Sequence, residues 1–340
     1  MEFAVKGLIF VAMYVLRFIF ILVKFAFKLP AVRKQAAIDA TTYLHSVEAR
    51  LNGQFDEFTF KKITKSHSLY LPIVNDSFTA LHGRSTNKTE QLRSVHYFIC
   101  SSVFDNFWDN KTHTAEQIAA IFYQPQQYQP ASFDENVFVE SHLFLLNEVK
   151  RKEAYLQVLD KVFTAQQLSL KQFDKDITNE AIQHITFEKG GNSVLLCNYY
   201  LDVEPTKAEE QCWYLLGTMI QLTNDLFDTY KDLQQHSYTL ATRCTNVYEV
   251  ESIYLHQIAQ LKHCIAQLPY KKNLKQYFSI VMASTYTLGL VAVEQLKKIQ
   301  GNNATMPDLR YLPRKALIID MEKISNVWLW IKLIFKYGKL

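Results

Sequence analysis

The chain has 340 residues, of which 49% are hydrophobic and 21% are charged, so it is long enough to bury a large core. Its formal net charge of +4 is small and no run of Lys and Arg forms a basic footprint, so nucleic acid is not an expected partner. Gly and Pro are scarce, with 9 and 8 residues, and the five cysteines form no C-x-x-C pair. We predict an all-α protein with reduced core cysteines.

The N-terminal segment, residues 1–30, is apolar but carries regularly spaced cations. Lys6, Arg17, Lys24 and Lys28 leave no uncharged run of the ~20 residues that a membrane span needs. On a helical wheel these four cations fall within roughly 40° of one another. The pattern predicts an amphipathic helix in a membrane interface; a signal anchor and a helix docked on the protein's own core are the alternatives.

The C-terminal tail, residues 319–340, repeats this chemistry. Trp328 and Trp330 lie among aliphatic residues, beside Lys332, Lys336 and Lys339. Two basic amphipathic ends predict a cytoplasmic protein that attaches peripherally to a membrane surface through both termini.

Between the ends, helical periodicity dominates and no repeat or linker divides residues 31–318, which we expect to form one helical domain. The predicted helices cover residues 31–52, 57–74, 89–109, 114–123, 135–147, 150–165, 167–187, 192–201, 207–232, 247–267, 272–300 and 309–335.

The first candidate metal-binding segment closes the helix predicted at 89–109. Asp105 and Asp109 stand at i and i+4, which places both carboxylates on one helix face. Phe104, Phe107 and Trp108 surround them, at the negative end of the helix dipole. Carboxylates in that setting need a compensating cation, although a solvated helix end is the commoner explanation for this spacing alone.

The second segment lies in the helix predicted at 207–232. Asn224, Asp228 and Asp232 recur at i, i+4 and i+8, so three oxygen ligands share one face, with Lys231 beside them. The preceding residues are apolar, which favours an interior row over a charged surface stripe. Mg²⁺ prefers oxygen ligands and is usually held by a few carboxylates together with a substrate phosphate. Two such rows suit a cluster of three Mg²⁺ ions around a diphosphate.

At these two segments the sequence resembles class I terpene synthases. Residues 224–232, NDLFDTYKD, resemble the N-D-x-x-S/D-x-x-K-E/D metal motif of that family. Residues 105–109, DNFWD, resemble its aspartate-rich motif in the D-N-x-x-D form of the class IB, or large terpene synthase, branch. The resemblance spans roughly residues 35–315. It implies a single-domain helical bundle of the isoprenoid synthase type around a central apolar cavity, with amphipathic terminal helices.

The resemblance also implies roles for individual residues. Asp105, Asn106, Asp109, Asn224, Asp228 and Asp232 would bind Mg²⁺, and Lys231, Arg310 and Tyr311 would bind diphosphate. Lys189, before Gly190 and Gly191, resembles the kinked helix at which the family senses the leaving group, where an Arg is more usual. Aromatic residues would line the cavity and stabilise an allylic cation: Phe104, Phe107, Trp108, Tyr199, Tyr200, Trp213 and Phe227. For each ring taken singly, ordinary core packing is the commoner role.

The expected function is the Mg²⁺-dependent conversion of a linear prenyl diphosphate to a linear or cyclic terpene. A chain-elongating prenyltransferase is one alternative, but the sequence upstream of Asp105 contains no Gly-Lys-x-x-Arg-like element for a second diphosphate. A head-to-head squalene or phytoene synthase is another, because Asp105/Asp109 and Asp228/Asp232 both have the D-x-x-x-D spacing. A non-catalytic, membrane-attached helical binding protein is the third. The sequence leaves a homodimer open.

Overall fold

All of the regular secondary structure that the structure describes is helical. The computed structural model describes the backbone of residues 2–110 and 112–340, and the side chains from residue 14 onward within those ranges. No strand occurs in these residues, which confirms the all-α prediction. The side chain of Lys6, one of the four cations of the predicted N-terminal stripe, lies outside the described residues.

The α-helices differ widely in length, from four residues to fifty. In chain order they are α1 (Glu2–Leu51), α2 (Glu57–Tyr70), α3 (Asp76–Leu81), α4 (Lys88–Asp109), α5 (Ala115–Tyr123), α6 (Phe133–Glu148), α7 (Lys152–Ser169), α8 (Asn179–Leu196), α9 (Lys207–Phe227), α10 (Thr229–Gln234), α11 (Val247–Gln267), α12 (Lys272–Gln300), α13 (Arg314–Leu317) and α14 (Ile324–Tyr337). A π-helical turn spans Leu71–Asn75, and short 3₁₀ segments span Leu170–Phe173, Cys197–Tyr200 and Leu309–Tyr311.

Local capping residues explain where several helices begin. Asn87 accepts a hydrogen bond from the backbone N–H of Glu90, whose carboxylate accepts one in return from the backbone N–H of Asn87. The same reciprocal capping box starts α9 at Thr206 and Glu209. Each box satisfies backbone donors that the first helical turn leaves unpaired. The two helices that carry the candidate metal ligands therefore have well-defined starts.

The helix α1 is a single helix where we predicted a terminal helix followed by a second one from residue 31. Pro30 lies inside it. A proline lacks one N–H and breaks one helical hydrogen bond, but the flanking turns remain bonded and the helix continues. Within the described residues, one helix, α12, is long and apolar enough to cross a membrane, and most of its apolar window is buried inside the protein.

The chain forms two compact units. Unit 1 contains residues 1–21, 153–198 and 204–340, and unit 2 contains residues 22–152 and 199–203. In unit 1, α9 packs against α8, α11 and α12. The Tyr254 hydroxyl on α11 donates a 2.6 Å hydrogen bond to the carbonyl oxygen of Tyr286 on α12, and Trp213 on α9 is fully buried. In unit 2, α4 packs against α2 and α6. Our boundaries at residues 30 and 318 stay a prediction.

The helix limits predicted for two other regions of the chain are wrong. The region predicted as helices 167–187 and 192–201 contains the end of α7, a break at residues 174–178 and the single helix α8. The region predicted as one helix, 309–335, contains a 3₁₀ turn, the four-residue α13 and then α14. Pro313 separates the first two, since the residue before a proline disfavours the helical conformation.

Candidate functional site

The end of α9 carries the second predicted ligand row, in unit 1. Asn224 and Asp228 are exposed and Asp232 is half-buried. The backbone N–H of Asp228 donates to the carbonyl of Asn224 and that of Asp232 donates to the carbonyl of Asp228, both at 2.8 Å. These i to i+4 bonds keep the helical spacing along the row, so the three side chains share one face as predicted.

The helix is nevertheless interrupted at Asp228, where we predicted one helix over 207–232. Asp228 lies between α9 and α10 with φ −88° and ψ 5°. The Thr229 hydroxyl donates to the carbonyl oxygens of Leu226, at 2.8 Å, and Asp225, at 3.3 Å. A side-chain hydroxyl that satisfies carbonyls at a helix end favours an interruption there. The row thus lies at a helix junction instead of in the middle of one helix.

Asp225 lies behind this row and was missed by the sequence analysis. It is buried, and its carboxylate accepts hydrogen bonds from the side chains of Gln221, at 2.9 Å, and Thr186, at 3.2 Å. Burial raises the pKa of Asp225 to about 6, against the opposing effect of these hydrogen bonds. Its burial could have been predicted from the sequence, because Asp225 stands three residues after the apolar Leu222 and so lies on the buried helix face.

The pKa of Asp232 is also raised. Burial raises its pKa to about 7, and repulsion from Asp225 and Asp228 adds to the shift, while Lys231 and Lys189 oppose it. Lys231 Nζ lies 3.7 Å from an Asp228 carboxylate oxygen. The structure therefore brings the predicted Lys231 and Lys189 into electrostatic range of the row. The three carboxylates repel one another, and nearby positive charge stabilises their ionised forms.

Lys189 reaches the row because α8 packs closely against α9. An added Cβ on Gly190 would lie 2.5 Å from the carbonyl oxygen of Gly217 and 2.4 Å from Cβ of Gln221. No side chain fits there, so the two glycines allow the helix backbones to approach. We predicted a helix break at residues 188–191, but α8 continues through Gly190 and Gly191. The glycines serve the helix contact instead of ending the helix.

Arg310 lies in the wall of a cavity, whereas its neighbour Tyr311 is exposed. Arg310 lines a cavity of about 440 Å³ in unit 1, together with Lys175, His236 and Arg243. Its guanidinium forms an ion pair with Asp308, with Nη2 to Oδ2 at 2.6 Å. Tyr311 is exposed. Sequence reasoning did not identify the other basic residues of this wall, since they come from loops that are distant along the chain.

The first predicted row lies at the end of α4, in unit 2. Asp105 is half-buried and forms an ion pair with Lys62 of α2, with Nζ to Oδ2 at 2.8 Å. The Asn106 side-chain amide donates to the Thr59 hydroxyl at 2.8 Å. Asp109 is exposed on the last residue of the helix. The compensating cation that we expected for Asp105 is thus provided in the structure by a lysine that the sequence analysis missed.

The predicted cavity-lining rings are mostly buried. In unit 2, Phe104 packs against Phe122 with ring centroids 5.1 Å apart, and Phe107 packs against Phe138 at 5.6 Å. The guanidinium of Arg151 lies over the ring of Tyr199 at 4.4 Å. Trp108, Tyr200 and Trp213 are also buried, and Phe227 is half-buried. These contacts are those of core residues, and the cavity-lining role of the rings stays a prediction.

The residues of the second row suit a hard cation, but they form only part of a coordination shell. Among the described side chains, no three His, Cys, Asp or Glu residues converge into a group that could hold a metal ion. The row offers two carboxylates and one amide, all oxygen donors, with Asp225 adding negative charge behind them. Mg²⁺ accepts such an incomplete protein shell because water and phosphate oxygens complete it. Comparison of the chain with protein-family models and with curated protein sequences finds no match.

Proposed function

We propose that the protein is a Mg²⁺-dependent class I terpene synthase with a helical bundle of the isoprenoid synthase type. The observation that carries the proposal is the row of Asn224, Asp228 and Asp232 at the junction of α9 and α10, with Lys189 and Lys231 within electrostatic range. Mg²⁺ bound there would neutralise the charge of a diphosphate and make it a better leaving group.

The chain's own residues would have distinct tasks. The oxygens of Asn224, Asp228 and Asp232 in unit 1 would hold cations, and those of Asp105 and Asp109 in unit 2 would do the same. Lys231 and Lys189 would bind outer phosphate oxygens as point charges, and Arg310 would add a planar fork of donors. Arg310 must exchange its Asp308 partner to do so. Ionisation breaks the bond between the allylic carbon and the diphosphate oxygen, and both electrons leave with diphosphate.

The Asp225 carboxylate would tune this site from behind. It hydrogen-bonds to Gln221 on its own helix and to Thr186 on α8, so it links the ligand row to the helix that carries Lys189. Its negative charge favours cation binding in front of it, since opposite charges at short range stabilise each other most strongly where water is excluded. We therefore assign Asp225 a positioning and electrostatic role.

A second candidate function rests on the Asp105 ion pair. Because Lys62 already neutralises this carboxylate and Thr59 holds the neighbouring Asn106, the first row is satisfied without a metal. That arrangement favours a non-catalytic helical binding protein. Prenyl-chain elongation and head-to-head condensation remain alternatives within the catalytic class.

Substitutions in each row test the proposal. Asn224→Ala, Asp228→Ala and Asp109→Ala should each lower kcat/KM with an allylic diphosphate by at least about a hundredfold, because each removes a group that stabilises charge on the departing diphosphate. Glu153→Gln, at an exposed carboxylate on α7, is the matched control and should leave activity unchanged. Helix content by circular dichroism should be the same in all four variants.

The outcomes separate the candidates. Loss of activity in the row variants alone supports a synthase. Full activity in the Asn224→Ala and Asp228→Ala variants would remove the metal argument. Calorimetry that detects Mg²⁺-dependent diphosphate binding without turnover of any allylic substrate would favour the binding protein.

A further inference from the structure

Residues 14–18 of α1 pack against the C-terminal part of α14 within unit 1. The Tyr14 hydroxyl donates a 2.9 Å hydrogen bond to the carbonyl oxygen of Phe335, and the ring of Phe18 meets the ring of Phe335 edge-on at 5.1 Å. Trp330 Nε1 donates to the carbonyl oxygen of Ser284 on α12 at 3.0 Å. These contacts fix the orientation of α14 on α12 and of residues 14–18 of α1 on α14.

The outer faces of the same two helices are apolar and exposed. On α1, Leu16 is 69% exposed and Phe20 is 66% exposed, and they share a face at i and i+4. On α14, Ile324 is 85% exposed and Trp328 is 57% exposed, again at i and i+4. Ile19 adds a fifth large apolar side chain on the α1 face. Solvent-exposed apolar residues grouped on one surface mark an interaction site.

Cations predominate on the two segments that carry this apolar surface, and the exposed Glu322 lies two residues before Ile324. Arg17 lies on α1, and Lys332, Lys336 and Lys339 lie on or just after α14, whereas residues 14–21 and 324–340 contain no Asp or Glu. Lys332 Nζ lies over the Trp328 ring, 5.5 Å from its centroid, which is within the range of a cation–π contact. The surface therefore combines an apolar centre, an amphipathic tryptophan and a basic surround.

We propose that this α1–α14 face, defined by Leu16, Ile19, Phe20, Ile324 and Trp328 with the four surrounding cations, docks onto a lipid bilayer that bears anionic headgroups. Apolar side chains would enter the headgroup region and the cations would bind lipid phosphates and carboxylates. A second copy of the chain fits this face poorly, because a symmetric contact would bring the cations of both copies together. Spanning by α14 is excluded by its length, since 14 residues extend only about 21 Å.

This proposal is independent of the catalytic one. None of its residues belongs to either ligand row, so failure of membrane docking leaves the synthase proposal intact and failure of catalysis leaves the docking proposal intact. The structure also reduces the set of tail residues that we expect to contact a membrane. Trp330, Ile334 and Phe335, which the tail's composition assigned to the membrane, contact the protein instead, and Trp328 is the tryptophan that faces outward.

Vesicle sedimentation of the full chain tests the charge component. The protein should bind vesicles containing roughly a third phosphatidylserine much more tightly than pure phosphatidylcholine vesicles. The triple variant Lys332→Gln/Lys336→Gln/Lys339→Gln should bind about a hundredfold more weakly, since each cation contributes about fivefold. The matched triple variant Lys152→Gln/Lys161→Gln/Lys171→Gln removes exposed lysines elsewhere in unit 1 and in unit 2, and should bind like wild type.

Quenching of tryptophan fluorescence by brominated lipids tests the apolar component. Wild type should be quenched, and Trp328→Phe should bind equally well but lose most of the quenching. Trp108 and Trp213 are buried, and Trp330 is half-buried and held against α12 by its hydrogen bond to Ser284. Quenching that persists in Trp328→Phe, equal binding by both lysine variants, or absence of binding to anionic vesicles would overturn the proposal. Concentration-dependent dimerisation that is abolished by Trp328→Gln would assign the face to a second copy instead.

Discussion

Asp105 is paired with Lys62 in the structure, so any cation that binds Asp105 must compete with the lysine ammonium group. Half-exposed ion pairs of this kind stabilise a protein by only about 0.5–1 kcal/mol. Lys62→Met should therefore lower the half-saturating Mg²⁺ concentration for diphosphate binding by about twofold to fivefold. Titration calorimetry at a fixed diphosphate concentration measures the half-saturating Mg²⁺ concentration. Lys62→Arg is the control that keeps the positive charge.

A higher half-saturating Mg²⁺ concentration in Lys62→Met than in wild type would contradict this competition between Mg²⁺ and Lys62. It would instead assign Lys62 to the diphosphate itself.

The sequence predicted the individual site residues that belong to a motif, but it did not predict the side chains that pair with them from distant parts of the chain. Asn224, Asp228 and Asp232 share a face because helical periodicity alone specifies it. Lys62 lies 43 positions before Asp105, and Thr186 lies 39 positions before Asp225. Such pairings follow from tertiary packing, about which local patterns carry no information.

Helix α8 depends on its glycine contact with α9. Gly190→Ala should lower the free energy of unfolding by about 1–3 kcal/mol, because the added methyl group meets the backbone of Gly217 and Cβ of Gln221. Denaturant unfolding measures the change. His184→Ala, at an exposed position of the same helix, is the control and should change stability by no more than about 0.5 kcal/mol.

An unchanged stability of Gly190→Ala would show that α8 and α9 can separate without cost. The same variant should also weaken diphosphate binding, since α8 supplies both Lys189 and Thr186 to the acidic row.

Helices with clear caps and uninterrupted periodicity were predicted well. The predicted limits 247–267 and 272–300 match α11 and α12, and 89–109 differs from α4 by one residue. The errors fall where one residue type has two uses. Gly190 and Gly191 lie in a predicted helix break but allow a close helix contact, and Pro30 lies at a predicted segment boundary but inside α1. Tertiary contacts decide between the two uses.

Across the whole molecule, three buried histidines should make the fold sensitive to acid. Burial lowers the pKa of His67 to about 4, of His96 to about 3 and of His142 to about 4. Their pKa in the unfolded chain is 6.5, so the folded state binds fewer protons than the unfolded state below that pH. The free energy of unfolding is thus fully maintained above pH 6.5 and falls as the pH drops towards 4.

His96→Phe isolates one of these contributions. The ring of His96 stacks on Phe144 at 4.0 Å, a contact that Phe can keep, although the hydrogen bond between His96 Nε2 and the Tyr43 hydroxyl is lost. The variant should show a shallower loss of stability between pH 6.5 and 4, by the uptake of about one proton. His184→Gln, which removes an exposed histidine, should leave the slope unchanged. An identical slope in His96→Phe would refute the assignment.

Incubation of the full chain with Mg²⁺ and one linear allylic diphosphate at a time, from C10 to C30, tests whether the protein is a terpene synthase. Organic products are analysed by mass spectrometry, and released diphosphate is measured. At least one substrate alone should yield a terpene together with an equal amount of diphosphate, and chelation of Mg²⁺ should stop both. A requirement for isopentenyl diphosphate, or release of no diphosphate from any substrate, would contradict the proposal.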